Sequence, residues 1–562
     1  MDNRAIAAML DEIADMLEVL GDNPFKVRAY RRLAAYVDHL DTELREIHAR
    51  GGLGDIPGVG KALRAKLEEM LETGDLAYYR RLRERVPPGV LEMLAIPGLG
   101  PRKVGLIYSQ TGISSLDELY RAAQEKRLRQ IPGLGGKTEF NIKKGIDMLR
   151  SLGREVTLGT ALPRALQLRD YLAEMPQVEA VEIVGSIRRG KPLVGDVDLL
   201  VASSDEAAVR EKVRKYRRVL EVDREGPGYI HGRLELGLEF EVIVVAPGDF
   251  YRSLLLCTGS RAHREKMVEA MRGVDLRGVD SEQAIYQRLA MQYVPPELRE
   301  DRGEIERARE GTLPSLVTVE DLRGDLHVHT DWSDGGSNLR EMAEAARARG
   351  YRYLAVTDHS QSLAVSRGLD VERLRSQVEE IRALNREWTD FRLLTGIEVD
   401  ILRDGSLDLP DEVLAGLDVV IASIHSHFRL SREEQTARLE AAIRNPHVDI
   451  IGHLTGRLLV RRPGYEVDVD RVLRLAREHR TALEINAHPD RLDIDEETAR
   501  RACQAGVRVA ICSDAHHRAD LDLVSYGVLS ARRGWVGRSD VLNAMELDEL
   551  LAYLGTSGGD AG

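Results

Sequence analysis

No run of eighteen apolar residues occurs in the 562-residue sequence, which excludes a transmembrane helix and any membrane partner that would need one. The opening "MDNRAIAAML" lacks the charged-then-apolar pattern of a secretory signal. Cysteine is scarce. Cys257, Cys503 and Cys512 lie far apart and form neither a disulfide framework nor a cysteine-based metal motif. These absences point to the cytoplasm. An overall excess of positive charge is missing as well: the net charge of −13 speaks weakly against a polyanionic partner. Yet residues 101–150 hold ten Lys/Arg against five Asp/Glu, so that segment is locally basic. What remains is a globular composition, 43% hydrophobic and 31% charged. The length exceeds what one hydrophobic core supports, so three or more domains are expected.

Three related phrases punctuate the first 150 residues: "IPGVGKALRAKL" from Ile56, "IPGLGPRKVGLI" from Ile96 and "IPGLGGKTEFNI" from Ile131. Each has two glycines, Gly58 and Gly60, Gly98 and Gly100, or Gly133 and Gly135, then a helical pattern and a lysine, Lys61, Lys103 or Lys137. Paired glycines permit a tight turn and close backbone approach, and the helix that follows presents open N–H groups, a cradle suited to phosphate. A single such phrase reads as a plain turn between helices. Three of them, each with a lysine, predict a sequence-independent grip on a nucleic-acid backbone that weakens with salt.

Further along, "VEIVGSIRRGKPLVGDVDLLV" (181–201) reads as a strand ending at Gly185 and Ser186, a turn with Arg188 and Arg189, and a second strand that opens at Gly195. That second strand carries Asp196 and Asp198 on one face, two like charges that need a cation. Gly, Ser and Arg are phosphate donors, so the set suits two-metal phosphoryl or nucleotidyl transfer. The bland alternative is an ion pair of Asp196 or Asp198 with Arg189. A third carboxylate is expected from the alternating strand "LGLEFEVIVVAP" (236–247), where Glu239 and Glu241 share a face.

After an expected linker at 293–316, short apolar runs alternate with charged helical stretches, the mark of repeated β-α units. Seven runs are candidate strands, and nearly every one ends in a metal-capable residue: His327, His329 and Asp334; His359; Glu398; His425; His453; Asp514 and His516. The additional run "ALEINAHP" completes the seven. Polar residues at C-terminal strand ends of a barrel read as an active site. Nine nitrogen and oxygen ligands without cysteine suit two or three ions of Zn²⁺, Mn²⁺ or Fe, which supply a nucleophile near neutral pH and clamp a phosphoester.

Residues 1–320 resemble a family X (polymerase-beta-like) DNA polymerase: helix-hairpin-helix repeats, Gly-Ser, Asp-x-Asp, then "CTGSRAHR" at 257–264. The resemblance implies Asp196 and Asp198 as catalytic Mg²⁺ or Mn²⁺ ligands. It implies nucleotide contacts from Gly185, Ser186, Arg189, Gly195, Thr258, Gly259 and Ser260, and dNTPs as substrates. The family's third aspartate falls on Glu241, its aromatic pair on Leu256 and Cys257, and its base-contacting Asn on Arg264. Lys66 falls on the deoxyribose-phosphate lyase lysine, whose chemistry needs a depressed pKa that the nearby Arg64 would favour. The C-terminal set resembles the polymerase-and-histidinol-phosphatase (PHP) domain. In bacterial and archaeal family X enzymes this domain supplies a 3′→5′ exonuclease, sometimes with abasic-site cleavage, and its metal site holds two or three Mn²⁺ or Zn²⁺ ions.

Together the resemblances imply a multidomain α/β protein. A helical helix-hairpin-helix region (1–85, with a lyase site, and fingers at 86–150) precedes an α+β nucleotidyltransferase palm (151–250) and a thumb (251–315). A distorted (β/α)7 PHP barrel (316–562) follows. The expected activity is DNA repair on gapped or recessed duplexes, by a monomer. Two other readings stand beside it: a PHP nuclease whose degenerate polymerase half only holds DNA, and a small-molecule phosphoesterase.

Overall fold

The computed structural model describes residues 3–38, 40, 43–56, 59–74, 76–96, 99–152, 155–363 and 366–555. The chain forms two compact units, Met1–Gly153 with Val460–Arg462, and Arg154–Leu459 with Pro463–Gly562. Among the described residues no helix is long and apolar enough to cross a membrane.

The first unit is helical. Helix Asn3–Val19 buries Ile6, Leu10, Ile13 and Leu17, spaced for one helical face, and pairs with helix Pro24–Asp38 through Val27, Tyr30, Leu33 and Val37. Gly105, in helix Pro101–Thr111, lies so near the Val19 carbonyl that a Cβ would come within 2.3 Å of it. The three repeated phrases fold alike. In each, the leading isoleucine (Ile56, Ile96 or Ile131) is buried, and its carbonyl accepts the N–H of Val59, Leu99 or Leu134 at 3.1, 3.0 and 3.0 Å. The second glycine then opens a helix: Gly60 before Lys61–Thr73, Gly100 before Pro101–Thr111, and Gly135 before Gly136–Leu152.

The second unit begins with a five-stranded sheet of β1 (Val178–Ile183), β2 (Asp196–Ser203), β3 (Val219–Gly226), β4 (Tyr229–Leu234) and β5 (Glu239–Val245), in the order β1-β2-β5-β4-β3. Only β2 and β5 run parallel. On β5, Phe240, Val242 and Val244 face the core, and Glu239 and Glu241 alternate with them. The expected turn at 185–189 is instead a short helix, Gly185–Arg188, and β1 ends at Ile183. The expected linker at 293–316 is packed structure rather than a tether. Val294 and Leu298 are buried, helix Glu304–Glu310 lies within it, and the fully buried Arg299 is neutralised by Glu282. A sequence rich in charge reads as linker, but here the charges pair inward.

Seven parallel strands form the C-terminal barrel: β6 (Gly324–Val328), β7 (Tyr353–Val356), β8 (Arg392–Asp400), β9 (Val419–Ser423), β10 (Ile450–Ile451), β11 (Ala482–Asn486) and β12 (Val509–Cys512). Apart from the half-buried Arg392 they are buried throughout, as parallel strands covered by helices must be. A parallel bridge between Val328 and Ala515 nearly closes the ring. Barrel and palm are clamped by Arg533, which donates to the Arg189 carbonyl and to Glu300, each at 2.9 Å, and to Glu496 at 2.9 Å.

Candidate functional site

In the helical unit, Gly60, Lys61, Gly100, Lys103, Gly133 and Gly135 are all exposed. Gly60 and Gly100 are N-caps without a side chain, so the first helical N–H groups stay uncapped by the protein's own oxygens. Gly133 has φ +90°, a conformation only glycine takes readily. Gly58 and Gly98 lie outside the described residues, and Lys137 is placed in the first turn of Gly136–Leu152. Lys66 is half-buried, its ammonium 4.9 Å from the centre of the Tyr78 ring. Burial, then the charge of Lys26, lowers its pKa. The expected helper, Arg64, plays no such part, because its guanidinium turns to Glu68 at 2.8 Å.

In the palm, β2 and β5 set Asp196 beside Glu239 and Asp198 beside Glu241. Burial, then repulsion from Asp196 and Glu241, pushes the Asp198 carboxyl up to about 7. Asp196 is also raised, by burial and then by Glu239. This is the like-charge stress that a divalent cation relieves, and the donor set fits Mg²⁺ or Mn²⁺. Gly185 (φ +62°) cannot be replaced without strain, because its Cβ would stand 2.1 Å from an Asp198 oxygen. The Ser186 hydroxyl is buried without a hydrogen-bond partner among the described residues. Gly195 has open space where a Cβ would go.

Three expected nucleotide contacts are otherwise engaged. Arg189 is buried and donates to Glu300 at 3.0 Å and to the Thr258 carbonyl at 2.8 Å. It therefore pairs with neither Asp196 nor Asp198, and the ion-pair alternative falls. Thr258 is fully buried; its hydroxyl donates to the Leu254 carbonyl and accepts from Arg188, both at 2.6 Å. Gly259 is closed in by the His263 ring, 2.7 Å from where a Cβ would stand. Ser260 is the half-exposed member, and its hydroxyl caps helix Arg261–Ala270. The loop is thus held by internal bonds that its sequence does not announce.

The barrel gathers all nine expected residues on its C-terminal rim. Three groups have ligand atoms within 4.8 Å of one another: His329, Asp334, His359 and His516; His327, His329 and Asp514; and His359, Glu398 and His425. His453 Nε2 joins the third, 3.1 Å from Glu398 Oε1. The shared members His329 and His359 link the groups into one cluster. Among the described residues no group of three forms around the palm carboxylates at that distance. Glu398 is the hub: both its oxygens are buried without a well-formed hydrogen bond, ringed by His327, His359, His425 and His453 at 2.7–3.6 Å. Burial would raise its pKa, but the imidazoles hold it well below the usual carboxylate range. Burial, then His516 and His359, pushes His329 down to about 3, leaving a neutral imidazole. Burial would lower the pKa of His327, His359 and His425, but the surrounding carboxylates raise it; these are protons that a nitrogen-and-oxygen-loving divalent ion would displace.

A helix-hairpin-helix domain model matches residues 1–76, a SAM-like helix-hairpin-helix tandem model residues 90–147, and a PHP domain model residues 325–488. A protein of Bacillus subtilis (strain 168), the DNA polymerase/3′-5′ exonuclease PolX, is 37% identical over 573 residues, covering 99% of each chain. The chain belongs to the PolX family. A probable phosphatase of Thermoanaerobacter sp. (strain X514) is 31% identical over 241 residues, 41% of this chain and 93% of its own. Another, from Caldanaerobacter subterraneus subsp. tengcongensis, is 33% identical over 203 residues, 34% of this chain and 75% of its own.

Around the rim of this PolX barrel stand residues that motif reading passed over. Glu484 on β11 is fully buried; it accepts His327 Nδ1–H at 2.7 Å and the His453 backbone N–H at 2.6 Å. Asp400 accepts His425 Nδ1–H at 2.6 Å, and Asn486 donates to Asp514 at 3.0 Å. Arg491 brings its Nε within 3.5 Å of Asp514. Glu484 and Asp400 set which imidazole nitrogen faces the cluster. The available signal was a carboxylate inside an apolar run, "ALEIN" and "GIEVDI", which a buried strand does not tolerate without a use.

Proposed function

We propose that the chain is a DNA repair enzyme, a template-directed gap-filling polymerase joined to a metal-dependent 3′→5′ exonuclease with abasic-site cleavage. The observation that carries this reading is the end-to-end match to a relative named for both activities, whereas the probable phosphatases match less than half of the chain. A small-molecule phosphoesterase would have no use for three glycine-lysine turns.

In this reading the turns at Gly58–Lys61, Gly98–Lys103 and Gly133–Lys137 hold DNA by its phosphates, and Lys66 serves as a lyase amine. Residues 1–85, 86–150, 151–250, 251–315 and 316–562 act as lyase domain, fingers, palm, thumb and nuclease. Asp196, Asp198 and Glu241 hold Mg²⁺ or Mn²⁺, and Ser186 and the Gly185 backbone receive the phosphates of a dNTP. The nine rim residues hold two or three Mn²⁺ or Zn²⁺ ions, which supply Lewis acidity and an activated water to a phosphodiester when bound. The protein's own part there is positional: Glu484 and Asp400 aim His327 and His425, and Arg491 adds a cation beside Asp514 for the phosphate. A second reading, a nuclease with a reduced polymerase half, is favoured by the engaged Arg189 and Thr258 and by the absence of a close palm cluster among the described residues.

One assay tests all of this: a gapped and a recessed duplex incubated with Mn²⁺ or Mg²⁺, with and without dNTPs. Extension with dNTPs and shortening without them are expected. Replacing His327 and His329 with Ala should abolish shortening and leave DNA binding intact; unchanged shortening refutes the nuclease site. Absence of extension under all conditions selects the second reading.

A further inference from the structure

We propose that the opposite, N-terminal rim of the barrel carries a separate phosphate-binding pocket built on Arg480 and Arg508. β11 and β12 are neighbouring parallel strands, so the residues that lead into them, Arg480 and Arg508, stand side by side; Leu483 N–H donates to the Arg508 carbonyl at 3.1 Å. A cavity of about 820 Å³ opens at this point. Its lining holds three guanidinium groups, those of Arg480, Arg508 and Arg538, and a single carboxylate, Glu549. Glu549 is already engaged, because it closes the capping box of helix Leu547–Leu554 by accepting the Glu546 N–H at 3.3 Å. Arg538 has Asp321 at 3.9 Å, a long contact.

Arg480 and Arg508 have no carboxylate within 4.0 Å among the described residues. Both guanidinium groups lie over the Tyr553 ring, at 4.8 and 5.4 Å from its centre. The Tyr553 hydroxyl donates to the Arg480 carbonyl at 3.0 Å, and Arg508 donates to the Ser539 carbonyl. The two cations are thus held in place without being neutralised, in a chain whose net charge is −13 and which has carboxylates to spare. Arg480 adopts φ +60° as the left-handed cap that ends helix Val469–His479, which fixes where its side chain leaves the helix.

Converging guanidinium groups select an anion with several oxygens on one centre, and each can bond it in bidentate fashion. The ligand class is therefore phosphate, either of a free nucleotide or pyrophosphate or of a nucleic-acid backbone. The N-terminal face of such barrels ordinarily serves stability. This pocket lies across the barrel from the histidine cluster and shares no residue with it.

The test uses the full chain in EDTA, so that phosphate is not drawn to the carboxylate sites by divalent ions. Inorganic pyrophosphate and a single-stranded oligonucleotide are titrated separately into the wild type, Arg480→Gln and Arg480→Glu. Arg480 is exposed, so these variants should fold, and their Mn²⁺-dependent nuclease activity verifies that they have. Loss of one charge-assisted contact should weaken pyrophosphate binding about tenfold or more in Arg480→Gln, and further in Arg480→Glu. If pyrophosphate does not respond but oligonucleotide affinity and its salt dependence fall in the variants, the phosphates are those of a backbone. If neither ligand distinguishes the three proteins, the pocket is not a phosphate site.

Discussion

Glu484→Ala is the substitution expected to separate orientation from ligation in the histidine cluster. Glu484 touches no ion in the proposed scheme, yet its carboxylate accepts three hydrogen bonds, from His327 Nδ1, from the His453 backbone and from Asn486 Nδ2, which also reaches Asp514. Because a carboxylate can only accept, His327 carries its proton on Nδ1 and turns Nε2 to the cluster, 3.2 Å from His329 Nε2. Alanine leaves two fully buried donors without an acceptor, at about 1–3 kcal/mol each. Part of that cost is shared with the fold, and the remainder appears as a loss of about 10–100-fold in metal affinity, the usual size of such an effect. Glu484→Gln keeps the volume and one acceptor oxygen, so it should lose about tenfold or less. Mn²⁺ titration by calorimetry gives the affinities. The 3′→5′ activity of Glu484→Ala should be low at limiting Mn²⁺ and recover in large part at excess, with DNA binding unchanged. If Glu484→Ala binds Mn²⁺ within twofold of the wild type, the orienting role is refuted.

In the palm, Glu241→Asp should raise primer extension and Glu241→Ala should abolish it, because a displacement of about 1 Å at an in-line site can cost on the order of a hundredfold; equal extension by all three proteins removes Glu241 from the site. Lys61→Gln with Lys103→Gln should flatten the slope of log K against log salt by about 2, one unit per phosphate contact, and an unchanged slope would make the turns structural. Asp449, whose carboxyl burial pushes up to about 7, prefers its neutral form when folded, so the stability it contributes at low pH is lost as pH rises from about 4 through 7. At about 1.4 kcal/mol per unit this reaches about 4 kcal/mol. Asp449→Asn should therefore melt above the wild type at pH 8 and converge with it toward pH 5; parallel melting curves across that range would contradict the assignment.

Much of this molecule could be read from its sequence because its signals are local. A Pro-Gly turn followed by a helix is closed by one bond three residues apart, as Ile56, Ile96 and Ile131 each show. Seven apolar runs, each ending in a His, Asp or Glu or completing the series, announce a parallel barrel, since only strands buried on both faces tolerate such runs. The same logic brought Asp196, Asp198 and the alternating β5 together: period-two patterning fixes the face, and one strand pairing fixes the register.

What escaped were residues whose meaning lies in a distant partner. Arg189 looks like a phosphate ligand in its own motif, and only Glu300, 111 residues on, with Arg533 behind it, reveals where its guanidinium goes. The segment 293–316 reads as a charged tether because nothing nearby shows that Arg299 will meet Glu282. Glu484 stands in the one strand run with no candidate ligand, so the motif offered it no role, although an ionised group in an apolar strand is costly unless paired. The rule that follows is physical. Where a short segment must bury a charge, the sequence states that a partner exists but not which one, and the partner decides whether the residue binds substrate or holds the protein. Arg189 is such a case: Glu300 and the Thr258 carbonyl take its guanidinium, and Arg533 of the barrel holds both the Arg189 carbonyl and Glu300, so its charge serves the packing of these elements.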